Sequence, residues 1–174
     1  TNPNLPSGSD RIWEGLQTAM EQGAETPDII INAQGDEPLL PPELLQQAVD
    51  VFKRKPEVDV VTFAHWIEDV KELEDPGLVK AVTNTDGTAL YFSRCSIPHH
   101  APKMKRHVGF YAYKYAALEA FVKTPPSPLE LQEKLEQLRG LEMGLTYHVE
   151  MTESAPIGVD TPADLEKVRA LVLE

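Results

Sequence analysis

The amino-acid sequence predicts an α/β fold: a mixed, mostly parallel sheet flanked by helices, in one domain over residues 1–174. Three observations predict it. Short runs of β-branched residues, such as Asp28 to Ala33 and Val58 to Ala64, alternate with stretches of helical periodicity, the order that builds a parallel-based sheet. The pair Asp86-Gly87 lies between two strand-like runs and marks an antiparallel hairpin. Hydrophobic content of 41% and charged content of 25% are those of a globular chain long enough for one real core.

Each element has a local reason. Residues 11–22 place Ile12, Leu16 and Ala19 on one helical face, with Ser9 or Asp10 as cap. Asp28 to Ala33 is a short apolar run and reads as a buried strand. Pro41-Pro42-Glu43 opens a helix to about Lys53, with proline tolerated in the first turn. Val58 to Ala64 is a second buried strand. Val79 to Thr83 and Ala89 to Ser93 are the arms of the hairpin. His107 to Lys114 alternates aromatic and small residues and reads as a strand. Ser127-Pro128-Leu129-Glu130 is a capping box, predicting one helix to about Met143 with Gly144 as its stop. Tyr147 to Met151 is a strand. Thr161 caps a last helix to about Leu173. The hairpin and the His107 strand read as antiparallel and inserted, so residues 84–115 are expected to form a smaller subregion or dimer contact.

Composition removes several function classes. No apolar run reaches the roughly 18 residues of a membrane span. The polar start Thr1-Asn2-Pro3-Asn4 has no signal-peptide layout, and without an initiator Met the true start is expected upstream. Cys95 is the only cysteine, which excludes an internal disulfide and a cysteine-rich metal site. The net charge of -12 shows no basic face for nucleic acid. An acidic chain still takes an anionic ligand where a metal ion inverts the local charge.

Two acidic loops stand out. Gln34-Gly35-Asp36-Glu37-Pro38 directly follows a buried strand, where open α/β sheets bind ligands, and Asp36 there can reach a metal or simply cap a turn. In Gly158-Val159-Asp160-Thr161-Pro162, Asp160 precedes the helix cap; it is either a helix-start carboxylate or a ligand. Two aspartates far apart in sequence suit Mg²⁺, which takes one or two carboxylates plus substrate phosphates. Ser7-Gly8-Ser9-Asp10-Arg11 precedes a helix and reads as a cap or as a contact for ribose, base or phosphate. His99 and His100 are adjacent and point apart in extended chain. With His65 and His148 they read as structural. His107 opens a strand, and Tyr111 shares its face if that strand is regular. Arg139 follows Glu136 by one helical turn and is expected to pair with it.

Taken in order, these stretches resemble the 3-deoxy-manno-octulosonate cytidylyltransferases, or CMP-Kdo synthetases. The matching residues are Pro6-Ser7-Gly8-Ser9-Asp10-Arg11, Asn32-Ala33-Gln34-Gly35-Asp36-Glu37-Pro38, Ala89-Leu90-Tyr91-Phe92-Ser93-Arg94, Arg106-His107-Val108-Gly109-Phe110-Tyr111-Ala112-Tyr113, Ser127-Pro128-Leu129-Glu130 with Leu135-Glu136-Gln137-Leu138-Arg139, and Gly158-Val159-Asp160-Thr161-Pro162. The resemblance implies a Rossmann-like nucleotidyltransferase fold, a cytoplasmic homodimer, and conversion of CTP and Kdo to CMP-Kdo and pyrophosphate for lipopolysaccharide assembly. It implies catalytic and Mg²⁺-binding roles for Asp36 and Asp160. Ser7, Gly8, Arg11, Gln34 and Asp36 line the nucleotide side. Arg94, His107, Tyr111, Glu136 and Gln137 line the sugar side, with Arg94 or His107 as donor to the sugar carboxylate.

The chain departs from the family in one respect above all. The family opens with a strand and a basic loop of the type Arg-x-x-Ser-Thr-Arg-Leu-Pro-x-Lys that grips the triphosphate, and nothing here matches it. The resemblance therefore implies an N-terminally incomplete domain. Ile97 to Lys105 is also shorter than the family's stretch. Two alternatives stay open: the same chemistry on another acidic sugar such as amino-Kdo, and a non-catalytic homologue that binds nucleotide.

Overall fold

A computed structural model gives the architecture; it describes every residue except 1, 3, 4, 6, 34, 36, 37, 154–158, 160, 173 and 174, and only the backbone of 163, 164, 167 and 172. Helix α1 (Gly8–Glu21) starts a turn earlier than predicted. Ser7, not Ser9 or Asp10, is its cap: the Ser7 hydroxyl accepts from the Asp10 N–H at 3.2 Å and donates to the Asp10 carboxylate at 2.6 Å. That choice turns Ser9 inward, where it is fully buried.

Strand β1 (Ile29–Asn32), helix α2 (Pro42–Arg54) and strand β2 (Val60–Trp66) follow as expected. After a 3-10 turn over Val70–Glu74 come β3 (Lys80–Thr83), β4 (Ala89–Ser93) and the long β5 (Lys105–Lys114). Helix α3 (Tyr115–Lys123) was not predicted. It leaves β5 without a break, and its N-terminus has no side-chain cap, so no start signal marks it.

The single helix expected over 127–143 is two, α4 (Pro128–Glu133) and α5 (Gln137–Glu142). Lys134 ends α4 in the left-handed region, with φ 56°, a conformation that costs a non-glycine residue about 1–2 kcal/mol. The capping box at Ser127 is complete in both halves. Arg139 pairs with Glu130, not Glu136: its Nε donates to Glu130 at 2.7 Å and its Nη2 to the other oxygen of the same carboxylate, forming a buried fork. Strand β6 (Tyr147–Met151) and helix α6 (Pro162–Val172) complete the chain.

The six strands of the described residues form one mixed sheet, in the order β4-β3-β5-β2-β6, with β1 also on β5. One correction concerns its balance. β2 and β6 pair in parallel, and every other described pairing is antiparallel. The parallel character survives in direction, since β1, β2 and β6 all run opposite to β5. β5 is therefore antiparallel as expected, but it is the central strand and not part of a separate unit. One of its edges carries β2 from Lys105 to Tyr113. The other carries β3 at Lys105 and Arg106, then β1 from Tyr111 to Lys114.

Each face of the sheet has its own core. Ile30, Val60, Ala64, Tyr111, Tyr113, Tyr147 and Val149 pack with residues of α1, α3, α4 and α5 on one face. Val61, Phe63, Val108, Phe110 and Ala112 pack with Leu44, Ala48, Val51 and Phe52 of α2 on the other. Gly140 permits α5 to lie directly on β6, because a Cβ there would sit 2.2 Å from the Tyr147 hydroxyl oxygen.

Candidate active site

The floor of the site is a row of side chains on β5. His107, Tyr111 and Tyr113 share one face, with ring centroids 5.4 Å apart for the first pair and 5.9 Å for the second. The strand is not regular: Thr62 pairs with Tyr111 and Phe63 with Val108, so Gly109 and Phe110 bulge out of the ladder. An insertion of two preserves the pleat, so His107 and Tyr111 still share a face.

His107 is held by its surroundings. Its backbone N–H donates to the Val79 carbonyl at 2.8 Å, and Phe92 lies edge-on to the ring at 5.0 Å. Its Nε2 lies 2.8 Å from the Thr62 hydroxyl oxygen. Thr62 has one proton, and the carbonyls of Phe110 at 2.8 Å and Val108 at 3.2 Å take it. Thr62 therefore accepts from His107, which assigns the Nε2–H tautomer and leaves Nδ1 as an acceptor. Burial pushes the imidazole pKa down to about 3. The ring is neutral near pH 7, and its one N–H is committed to Thr62.

Helices α1 and α5 form a wall over this floor. The Tyr113 hydroxyl donates to Ser9 at 3.4 Å, and Ser9 donates to Glu136 at 3.1 Å. Glu136 Oε2 is buried and has no hydrogen-bond partner among the described residues. Burial, opposed by hydrogen bonds from Ser7 and Ser9, raises the Glu136 carboxyl above the usual range. Gln137 is buried next to it. A cavity of about 500 Å³ opens between Ser7 and Gly8 on one side and Lys134 and Glu136 on the other. A larger one, about 630 Å³ beside Asp28 and Lys114, lies at the amino end of β1 and meets none of these groups.

Arg11 is on the exposed side of α1. Arg94 is engaged elsewhere: its Nε donates to the Glu133 carbonyl and its Nη1 to the Pro76 carbonyl, both at 3.1 Å. These bonds fix its guanidinium against the α4–α5 corner. Gln34, Asp36 and Asp160 lie outside the described residues. No cluster of three or more metal-ligating side chains occurs among the described residues. The segments that carry the two aspartates follow β1 and β6, which run in the same direction and so end on the same side of the sheet.

The structure adds residues that the sequence reading passed over. Ser9 and Thr62 are small hydroxyls whose partners lie far along the chain. Asn32 ends β1 opposite Tyr111, is 3% exposed, and has a buried Nδ2 with no partner among the described residues. A polar residue closing an otherwise apolar strand is the signal that could have found it.

The Cytidylyltransferase family matches residues 1–151. The chain is 45% identical over 174 residues to the 3-deoxy-manno-octulosonate cytidylyltransferase of Parvibaculum lavamentivorans, covering 98% of this chain and 66% of that one. It is 46% identical over 176 residues to the protein of the same name from a Bradyrhizobium species, covering 99% and 70%. It superposes with a TM-score of 0.90 on CMP:2-keto-3-deoxy-manno-octonic acid synthetase complexed with CTP, at 37% identity, covering 99% of this chain and 70% of that one. The 4-diphosphocytidyl-2C-methyl-D-erythritol synthase of Anaerococcus prevotii has the same fold, with a TM-score of 0.59 at 16% identity, covering 98% and 68%.

Fold and family match together define a nucleotidyltransferase of the cytidylyl class. Within that class, the chain belongs to the 3-deoxy-manno-octulosonate cytidylyltransferase family. It spans about two thirds of the length of the relatives it matches.

Proposed function

We propose that this chain carries out the reaction for which its relatives are named: transfer of a cytidylyl group from CTP to the anomeric hydroxyl of Kdo, giving CMP-Kdo and pyrophosphate. The supporting observation is the wall-and-floor arrangement, in which Ser9 joins the capped start of α1 to Glu136 above the His107–Tyr111 row. A cavity of about 500 Å³ between the start of α1 and Glu136 supports this reading, with room for a sugar beside the proposed nucleotide side. The product would serve lipopolysaccharide assembly, in a cytoplasmic homodimer. No helix of the described residues is long and apolar enough to cross a membrane.

The chemistry asks little covalent work of the protein; positioning and charge neutralisation supply most of the acceleration. Asp36 and Asp160 are the proposed Mg²⁺ ligands, an oxygen donor set suited to that hard cation. When bound, the metal neutralises phosphate charge and favours the deprotonated sugar hydroxyl. Ser7, Gly8, Arg11 and Gln34 form the nucleotide side. On the sugar side, His107 Nδ1 accepts from a hydroxyl of the sugar. Glu136 and Gln137 bind further hydroxyls with Tyr111. Arg94 is braced and His107 is neutral, so the buried Asn32 Nδ2 is the better donor to the sugar's carboxylate.

A pyrophosphate-release assay with CTP, Mg²⁺ and Kdo tests the reading, on this chain and on one extended to the relatives' length. Asp36→Ala and Asp160→Ala are each expected to abolish release while the fold is kept. Normal release in either variant would remove the metal assignment, and faster turnover of amino-Kdo than of Kdo would change the sugar.

A further inference from the structure

Glu133 ends α4, and it is tied to the end of β4 rather than to solvent. Its Oε1 accepts from the Ser93 hydroxyl at 2.8 Å and the Tyr91 hydroxyl at 3.4 Å. Its Oε2 accepts from the Arg94 backbone N–H at 3.1 Å, and its own carbonyl accepts from Arg94 Nε at 3.1 Å. The buried Lys80 amine locks the same strand end by donating to the Arg94 carbonyl at 3.2 Å and to the Asp75 carbonyl at 2.5 Å. Directly after Glu133 the chain turns through left-handed Lys134 and enters α5, with Glu136 at its cap and Gln137 as its first residue. Directly before Ser93, Phe92 packs on the His107 ring. One strand end thus contacts both the His107 ring and the corner that leads to Glu136.

We infer that Glu133 is a positioning residue for the sugar subsite: its carboxylate clasps the α4–α5 corner to β4 and so sets Glu136 and Gln137 opposite His107. A plain helix-end carboxylate would need none of these bonds. Two acceptor oxygens serving two hydroxyls and one backbone amide of one strand end, from Tyr91, Ser93 and Arg94, fix the corner in both translation and rotation. The claim rests on the sugar-side reading given above for Glu136, Gln137 and His107.

The test compares Glu133→Ala, Glu133→Gln and Ser93→Ala with the unaltered chain in pyrophosphate release and in amide hydrogen exchange. Glu133→Ala is expected to raise KM for Kdo about tenfold or more, the loss of one good hydrogen bond, while KM for CTP stays within about twofold. The Leu138 and Arg139 amides, which bond to the Leu135 and Glu136 carbonyls at 3.2 and 3.0 Å, should exchange about tenfold faster. The Val149 amide in β6 should be unchanged. Glu133→Gln keeps one acceptor oxygen and should give a smaller effect of the same kind, as should Ser93→Ala. Equal increases in both KM values, or unaltered exchange at Leu138 and Arg139, would overturn the assignment. Absence of pyrophosphate release from the unaltered chain would count against the proposed reaction, and the exchange arm would still decide whether Glu133 holds the corner.

Discussion

His107, half-buried, and His148, buried, lie on opposite faces of the same sheet and differ in their hydrogen-bond partners. His148 is 4% exposed and is satisfied at both ring nitrogens. Its Nε2 faces Glu150 at 2.8 Å and its Nδ1 faces the Lys55 amine at 3.4 Å. Gly87 presses on the ring so closely that a Cβ there would lie 2.5 Å from Cε1. His107 has Thr62 at Nε2 and, among the described residues, no partner at Nδ1. Burial alone does not separate a structural histidine from a functional one. The second ring nitrogen does: at His148 it meets the Lys55 amine, whereas at His107 no described side chain fills it and it is open to accept from a ligand.

The comparison can be broken most directly by replacing each ring in turn. His107→Phe should keep the fold and lower kcat/KM for Kdo by about 10- to 100-fold, the value of one or two lost hydrogen bonds. His148→Phe should leave activity within about threefold and cost about 2–3 kcal/mol in urea unfolding, since Glu150 and Lys55 lose their common partner. A reversed pattern would mean that the two histidines have been assigned the wrong way round. Thr62→Val sharpens the contrast. It removes the acceptor of the His107 Nε2–H and the donor to two carbonyls. It should cost about 1–3 kcal/mol and lower activity, although Thr62 is itself buried beneath the ring.

A pH series reads the His107 environment without an assay of turnover. The imidazole falls from 6.5 to about 3 on folding, so above pH 6.5 it is neutral in both states and contributes no slope. Below 6.5 the unfolded chain takes up a proton that the folded chain refuses, and stability declines by up to about 1.4 kcal/mol per pH unit until about pH 3. The difference in urea midpoint between the unaltered chain and His107→Gln, compared at pH 7.5 and 5.5, isolates this slope from the carboxylates. Equal pH dependence in the two proteins would show that the ring is protonated in the fold, and the acceptor role of Nδ1 would fall.

Much of this was legible in the sequence where local chemistry decides. Asp86-Gly87 announced the hairpin, and Ser127 with Glu130 announced a capping box that the structure shows in full. Strand spacing put His107 and Tyr111 on one face of their strand, and the structure shows their rings side by side. What was missed is decided at long range. Lys134 to Gln137 carries no breaker, so nothing local predicts the corner; Glu133 makes it by reaching Ser93, 40 residues away. Ser9 gains its role from Glu136, 127 residues on, and Thr62 from His107, 45 residues on. The pairing of Arg139 with Glu136 failed for the same reason. The helix breaks between Glu133 and Gln137, and the spacing rule for a continuous helix no longer applies.

The smallest expected effect is the most discriminating for Glu136. Its carboxyl is raised by burial, which means that the folded state disfavours its charged form near neutral pH. A folded pKa above the unfolded one imposes a penalty that is present above the unfolded pKa and relieved as the group becomes protonated. Glu136→Gln removes that penalty, and its amide can still accept from Ser9. Unfolding free energy at pH 7 should therefore be unchanged or higher by less than about 1 kcal/mol, the pattern of a residue kept for function at the expense of stability. KM for Kdo should rise at the same time, with KM for CTP unaltered. A variant that loses stability would show that the carboxylate contributes to the fold through Ser9 and Tyr113, and would move Glu136 from the site to the scaffold.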